Sequence, residues 1–160
     1  ILGTNEREYP WMDEGINSFY EQRYVNEIYP NQKLFENIPR GIAKFLDIDR
    51  YKHRYLADVG YQFVARDGND QPIQLPANQF TTINYGAIVY GKSSIAIGYL
   101  EAYLGSGLFD SIMQQYFNAW KFKHPQPEDL RKTFETISGK NLSWFYADLI
   151  KTDGKIDFSI

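Results

Sequence analysis

The sequence predicts an all-α fold. Three observations carry that reading: apolar residues recur at three- and four-residue spacing, residues that start and stop helices flank those runs, and alternation of the strand type is confined to 155–160 at the C-terminal end. The chain has 160 residues, enough for one compact domain spanning 1–160 and too few to presume two. With 43% hydrophobic and 23% charged residues it reads as globular, and the 17% aromatic share implies a core built on large rings.

The first helix is predicted over 10–29. Pro10 suits a first turn, Asp13 and Glu14 complement the N-terminal dipole, and Pro30 ends the run. Its apolar stripe should be Ile16, Phe19, Tyr20, Tyr24 and Ile28. A looser, weakly helical stretch follows over 38–61. Between Ala65 and Thr82 the Asp67-Gly68 pair, Pro72 and Pro76 are turn chemistry, which predicts a surface loop.

A long helix is expected over 84–104, stopped by Gly105 with Gly107, and another over 109–120. Pro127, Glu128 and Asp129 open the next helix and Gly139 closes it. Asn141 should cap a last helix over 142–150, and 155–160 reads as the start of a strand.

Composition excludes several functions. A net charge of −3 with dispersed basic residues leaves no phosphate-binding footprint, so neither nucleic acid nor an anionic membrane is an expected partner. No apolar run reaches the roughly 18 residues that a membrane-spanning helix needs. The absence of cysteine rules out thiolate metal sites, thiol nucleophiles and disulfides within this chain. His53 and His124 have no partner at metal-ligand spacing and read as surface or loop histidines. A start at Ile1 without Met is expected of a segment excised from a longer protein.

Two strings carry chemistry. The first is Trp11-Met12-Asp13-Glu14-Gly15, followed by Asn17, Ser18 and Glu21. A lone Glu in a first helical turn is ordinarily a dipole-complementing surface acid, but Glu14, Asn17, Ser18 and Glu21 recur at helical spacing and form a face too polar for a core. The second is Tyr85-Gly86-Ala87-Ile88-Val89-Tyr90-Gly91-Lys92-Ser93. With 13 tyrosines in the chain, either Tyr would by default be a packing residue.

Together these strings resemble the zinc aminopeptidases of the gluzincin type, the family of alanyl aminopeptidase and leukotriene A4 hydrolase. There, a helix with His-Glu-x-x-His is followed, after eighteen intervening residues, by the Glu of a Trp-x-x-Glu-Gly string. The resemblance implies that Glu14 is the third zinc ligand, with Glu21 and Asn17 supporting it from behind. It also implies that Tyr90 is the catalytic phenol that steadies an oxyanion and Tyr85 its companion. Ser93 stands where the family usually has Gly.

Tyr99 to Gly105, Trp120 to Leu130 and Ser143-Trp144-Phe145 also resemble that family's helical segments, so the likeness covers nearly the whole chain. The implied fold is the C-terminal helical subdomain of a thermolysin-like zinc peptidase catalytic domain. The histidine-bearing helix would precede residue 1. From this follow a peptide substrate and zinc in the full-length parent, no tight zinc binding and no activity in the segment alone, and a surface around Glu14 and Tyr90 prone to non-natural self-association. The alternative is a non-catalytic helical interaction module that kept the scaffold and lost the metal.

Overall fold

The structure, a computed structural model, describes residues 2–35 and 37–154. The predicted strand at 155–160 lies outside the described residues. Among these the fold is all-α, the only extended pairing being an isolated antiparallel bridge between Lys33 and Lys52.

The first helical run begins as a wide π-helical turn, Trp11–Gly15, and continues as α1, Ile16–Ile28. Its inner side is shorter than the apolar pattern predicts. Ile16 and Phe19 are buried, whereas Tyr20, Tyr24 and Ile28 are exposed. Only the first half of α1 lies over the core, where Phe19 meets Phe109 edge-on at 5.4 Å, and Tyr24 stacks outside it against Tyr29.

The loose stretch resolves into α2, Arg40–Phe45, a 3-10 turn His53–Tyr55, and α3, Leu56–Arg66. The segment expected as a surface loop is only partly one. It is pinned at its middle, by Gln74 N–H to Ile150 O at 2.9 Å and Ala77 N–H to Arg7 O at 2.8 Å, and its Ile73 is fully buried.

The long helix starts with the single turn α4, Thr82–Asn84, where the Thr81 hydroxyl accepts from Asn84 N–H at 3.2 Å. It widens into a π-helical segment, Tyr85–Lys92, and narrows again as α5, Ser93–Leu104. Gly105 alone makes the stop, at φ +83, while Gly107 sits in the first turn of α6, Ser106–Trp120. This corrects both the paired-glycine stop and the later expected start of α6.

Helix α7, Pro127–Ser138, has Pro in its first turn and a capping box between Gln126 and Asp129, and Gly139 closes it at φ +66. The last helical segment, Trp144–Ile150, is π-helical; the Asn141 side chain accepts from Ser143 N–H at 2.8 Å ahead of it.

Helix α5 runs through the middle, with α1, α6 and the Trp144–Ile150 segment against it. Trp11, Phe109, Ile112, Tyr116, Phe134 and Phe145 form the centre of the core. Across α1, α5 and α6, the Arg23 guanidinium makes a two-pronged contact with Asp110 at 2.5 and 3.0 Å and lies 3.6 Å from Glu101. Gln22 Nε2 donates to Ser94 Oγ at 3.0 Å beside it.

Candidate active site

Glu14 sits in the Trp11–Gly15 turn, held by Trp11 and Met12, which are buried on either side of the turn's inner face. The next residue, Gly15, faces the second helical run at its closest point. A Cβ there would lie 2.5 Å from Ser93 Cβ and 3.1 Å from Val89 O. Ser93 is fully buried and its hydroxyl donates to Ile88 O at 3.0 Å. Two small residues thus let the backbone that carries Glu14 lie against the backbone that carries Tyr90. The Ser at 93 keeps this approach, in place of the Gly usual in the resembled family.

The π-helical segment aligns the two tyrosines. Five residues apart in an α-helix, side chains diverge by about 140°, whereas an i→i+5 repeat brings them to one side. Tyr85 and Tyr90 accordingly meet edge-on, ring centroids 6.0 Å apart at 66°, and Phe80 supports Tyr85 from behind at 6.1 Å.

Burial, then the Glu14 carboxylate facing its hydroxyl, then Tyr85 and Glu6, push the Tyr90 phenol up to about 12. Tyr85 is raised as well, by burial first and then by Glu6, Glu14 and Asp13. Both phenols therefore keep their protons at neutral pH and act as neutral hydrogen-bond donors. Glu6 was not evident from the sequence: it lies on the turn that Asn5 folds, and only the fold brings it near the tyrosines.

The polar face of the first helix divides. Ser18 and Glu21 line a cleft of about 370 Å³ with Tyr90, Gln22 and His53, whereas Asn17 turns away and donates to Asp13 Oδ1 at 3.0 Å. The Asn17 amide thereby ties the start of α1 to the Trp11–Gly15 turn, one residue before Glu14.

His53 also departs from expectation. It is half-buried in the cleft wall, with Nδ1 shielded and without a hydrogen-bond partner. Its position follows from the 3-10 turn before α3, which no local pattern announces. His124 is an exposed loop residue, its Nδ1 2.8 Å from Gly3 O. Among the described residues no three His, Cys, Asp or Glu side chains gather as a metal site. A larger concavity, about 970 Å³, lies between Phe35, Tyr51, Tyr55 and Phe63 and contains none of Glu14, Tyr85 and Tyr90.

Comparison with known proteins fits this geometry. The model of the peptidase family M1 domain matches residues 5–149, which takes in Glu14, Tyr85, Tyr90 and all but the last residue of the described helical segments. The chain belongs to peptidase family M1.

This member of the family is 36% identical over 147 residues to "Probable aminopeptidase 2" of Sulfurisphaera tokodaii, covering 90% of this chain and 17% of that protein. It is 24% identical over 135 residues to "Alanine/arginine aminopeptidase" of Saccharomyces cerevisiae, covering 82% of this chain and 14% of that one. With "Aminopeptidase M1" of Arabidopsis thaliana the identity is 20% over 146 residues, covering 90% and 15%. The chain thus spans about one-sixth of the length of these curated relatives.

Proposed function

We propose that the parent protein is a zinc-dependent aminopeptidase, in which this M1 segment supplies Glu14 as one metal ligand and Tyr90 as the donor that steadies the oxyanion of the attacked peptide carbonyl. The observation that carries the reading is the pairing of Glu14 with Tyr90, two residues on separate helical runs brought face to face at the Gly15–Ser93 contact.

Among the described residues the donor set is incomplete for zinc. Three protein ligands leave a fourth position for water, and the described residues offer the carboxylate of Glu14 without two imidazoles beside it. The two histidines are proposed to come from residues preceding this segment in the parent.

What the chain itself contributes is a neutral phenol in a fixed place. Tyr90 keeps its proton because burial and the nearby carboxylate disfavour the phenolate. A donor already aimed at the position where negative charge develops lowers the barrier without reorganising. Tyr85 packs its ring against Tyr90 and restricts where that hydroxyl can point. Asn17, bonded to Asp13, supports the turn that carries Glu14, and Glu21 lines the cleft beside Tyr90.

In the full-length enzyme Tyr90→Phe should lower kcat by roughly 10- to 1000-fold with zinc content unchanged. Wild-type turnover in that variant would remove Tyr90 from the mechanism. A non-catalytic helical module would instead show no zinc and no turnover in the unaltered parent.

A further inference from the structure

Lys92, two residues beyond Tyr90, is the one buried lysine among the described residues. Its Nζ lies 3.0 Å from Asp70 Oδ2 and 3.3 Å from Gln71 O, and the Tyr61 hydroxyl donates to the same Asp70 oxygen at 2.7 Å. The side chains of Lys92 and Asp70 are only 7% and 4% exposed. The ammonium also sits 5.5 Å from the Tyr61 ring centroid.

The same short loop grips the other end of the tyrosine segment. Asn84, immediately before Tyr85, donates through Nδ2 to Asn69 O at 2.6 Å and to Gln71 Oε1 at 2.7 Å. Residues 69–71 thus bracket Tyr85–Lys92, with one polar anchor before Tyr85 and one after Tyr90.

A buried ion pair is a poor source of net stability, because the desolvation of both charges offsets their attraction. What it supplies is geometry, since a buried ammonium has few places where it can be satisfied. We infer that Asp70 is a positioning residue for Tyr90, acting through Lys92 to fix the rotation and axial placement of the π-helical segment and so the aim of the Tyr90 hydroxyl. The inference rests on the catalytic reading of Tyr90 above.

The test is a double-mutant cycle in the full-length enzyme, with zinc content and thermal unfolding measured alongside. Asp70→Asn should lower kcat about 10-fold, with KM and zinc content unchanged within about twofold. In a Tyr90→Phe background the same change should cost less than about twofold, because there is no longer a hydroxyl to aim. A phosphinic dipeptide, a stable tetrahedral mimic, should bind Asp70→Asn more weakly by the same factor as the loss in kcat/KM.

An undiminished loss in the Tyr90→Phe background, or no loss at all, overturns the positioning role and leaves the catalytic one standing. Full turnover by Tyr90→Phe alone overturns both. If Asp70→Asn does not fold, Tyr61→Phe is carried through the same cycle. It removes one hydrogen bond to Asp70 and keeps the ion pair, and it should give about a threefold loss with the same dependence on Tyr90.

Discussion

Gly15 and Ser93 touch so closely that a side chain at residue 15 has nowhere to go. Its backbone is ordinary helix at φ −67, so conformational freedom is not why Gly is required there. Space is the reason, because an added Cβ would stand 2.5 Å from that of Ser93. Gly15→Ala should therefore destabilise the chain by about 1–3 kcal/mol, although Ala is the better helix former. Ser93→Gly in the same chain should recover part of the loss, leaving the tight contact with Val89 O. Gly98 is the control: it is also mid-helix but has open space around the Cβ position, and Gly98→Ala should raise stability by up to about 1 kcal/mol. Urea unfolding of the three variants checks the pattern, and a stabilising Gly15→Ala would contradict the close approach.

Phe109 joins two helices that are distant in sequence. It meets Phe19 of α1 at 5.4 Å and Phe134 of α7 at 5.5 Å, with no exposed surface of its own. Phe109→Ala should cost about 3–5 kcal/mol, through lost burial and the cavity left behind. Phe117 is on the same helix but exposed, and Phe117→Ala should cost about 0.5 kcal/mol or less. Equal losses for the two variants in thermal unfolding would argue against the packing of α6 described above.

Much of this fold was legible locally, and the illegible parts share one cause. Pro127, the Gln126–Asp129 capping box and Gly139 mark α7 by backbone chemistry that acts within a few residues, so sequence and structure agree there. Tyr24 and Ile28 read as buried because periodicity says which side of a helix is apolar, and not how far the neighbouring helix extends along it. Glu14, Tyr85 and Tyr90 stood out through their strings, and the structure brings them together. Glu6, His53 and the Asp70–Lys92 pair reach the site region only through tertiary contacts, with no local signal.

Asp110 should make stability depend on acid. Its hydrogen bonds from Arg23 hold its carboxyl below the usual value of 3.8. A group whose pKa falls on folding stabilises the fold above its unfolded value, and that contribution fades as pH drops through the lower, folded value. The Asp110 side chain is 48% exposed, so solvent screening limits the pair to about 1 kcal/mol or less at neutral pH. Asp110→Asn should thus lower the unfolding free energy at pH 7, and the gap to the unaltered chain should close as pH falls from the usual carboxyl value of 3.8 through the lower folded one. A gap that persists at low pH would mean that Asp110 matters by shape and not by charge.

Tyr116 and Tyr146 bury their hydroxyls without a hydrogen-bond partner. Burial is the main cause that raises both phenols; Asp129 adds to the shift of Tyr116, and Glu135 and then Tyr116 add to that of Tyr146. A buried donor left unpaired costs about 1–3 kcal/mol of desolvation, while the ring around it contributes packing that Phe would keep. Removing the oxygen should therefore do no harm. Tyr116→Phe and Tyr146→Phe should each leave stability unchanged or raise it by up to about 1 kcal/mol, in contrast with the usual loss when a hydrogen-bonded buried Tyr is shortened. Chemical denaturation of both single variants decides the matter. A loss above about 1 kcal/mol in either would reveal a partner for that hydroxyl, such as an ordered water between the two rings.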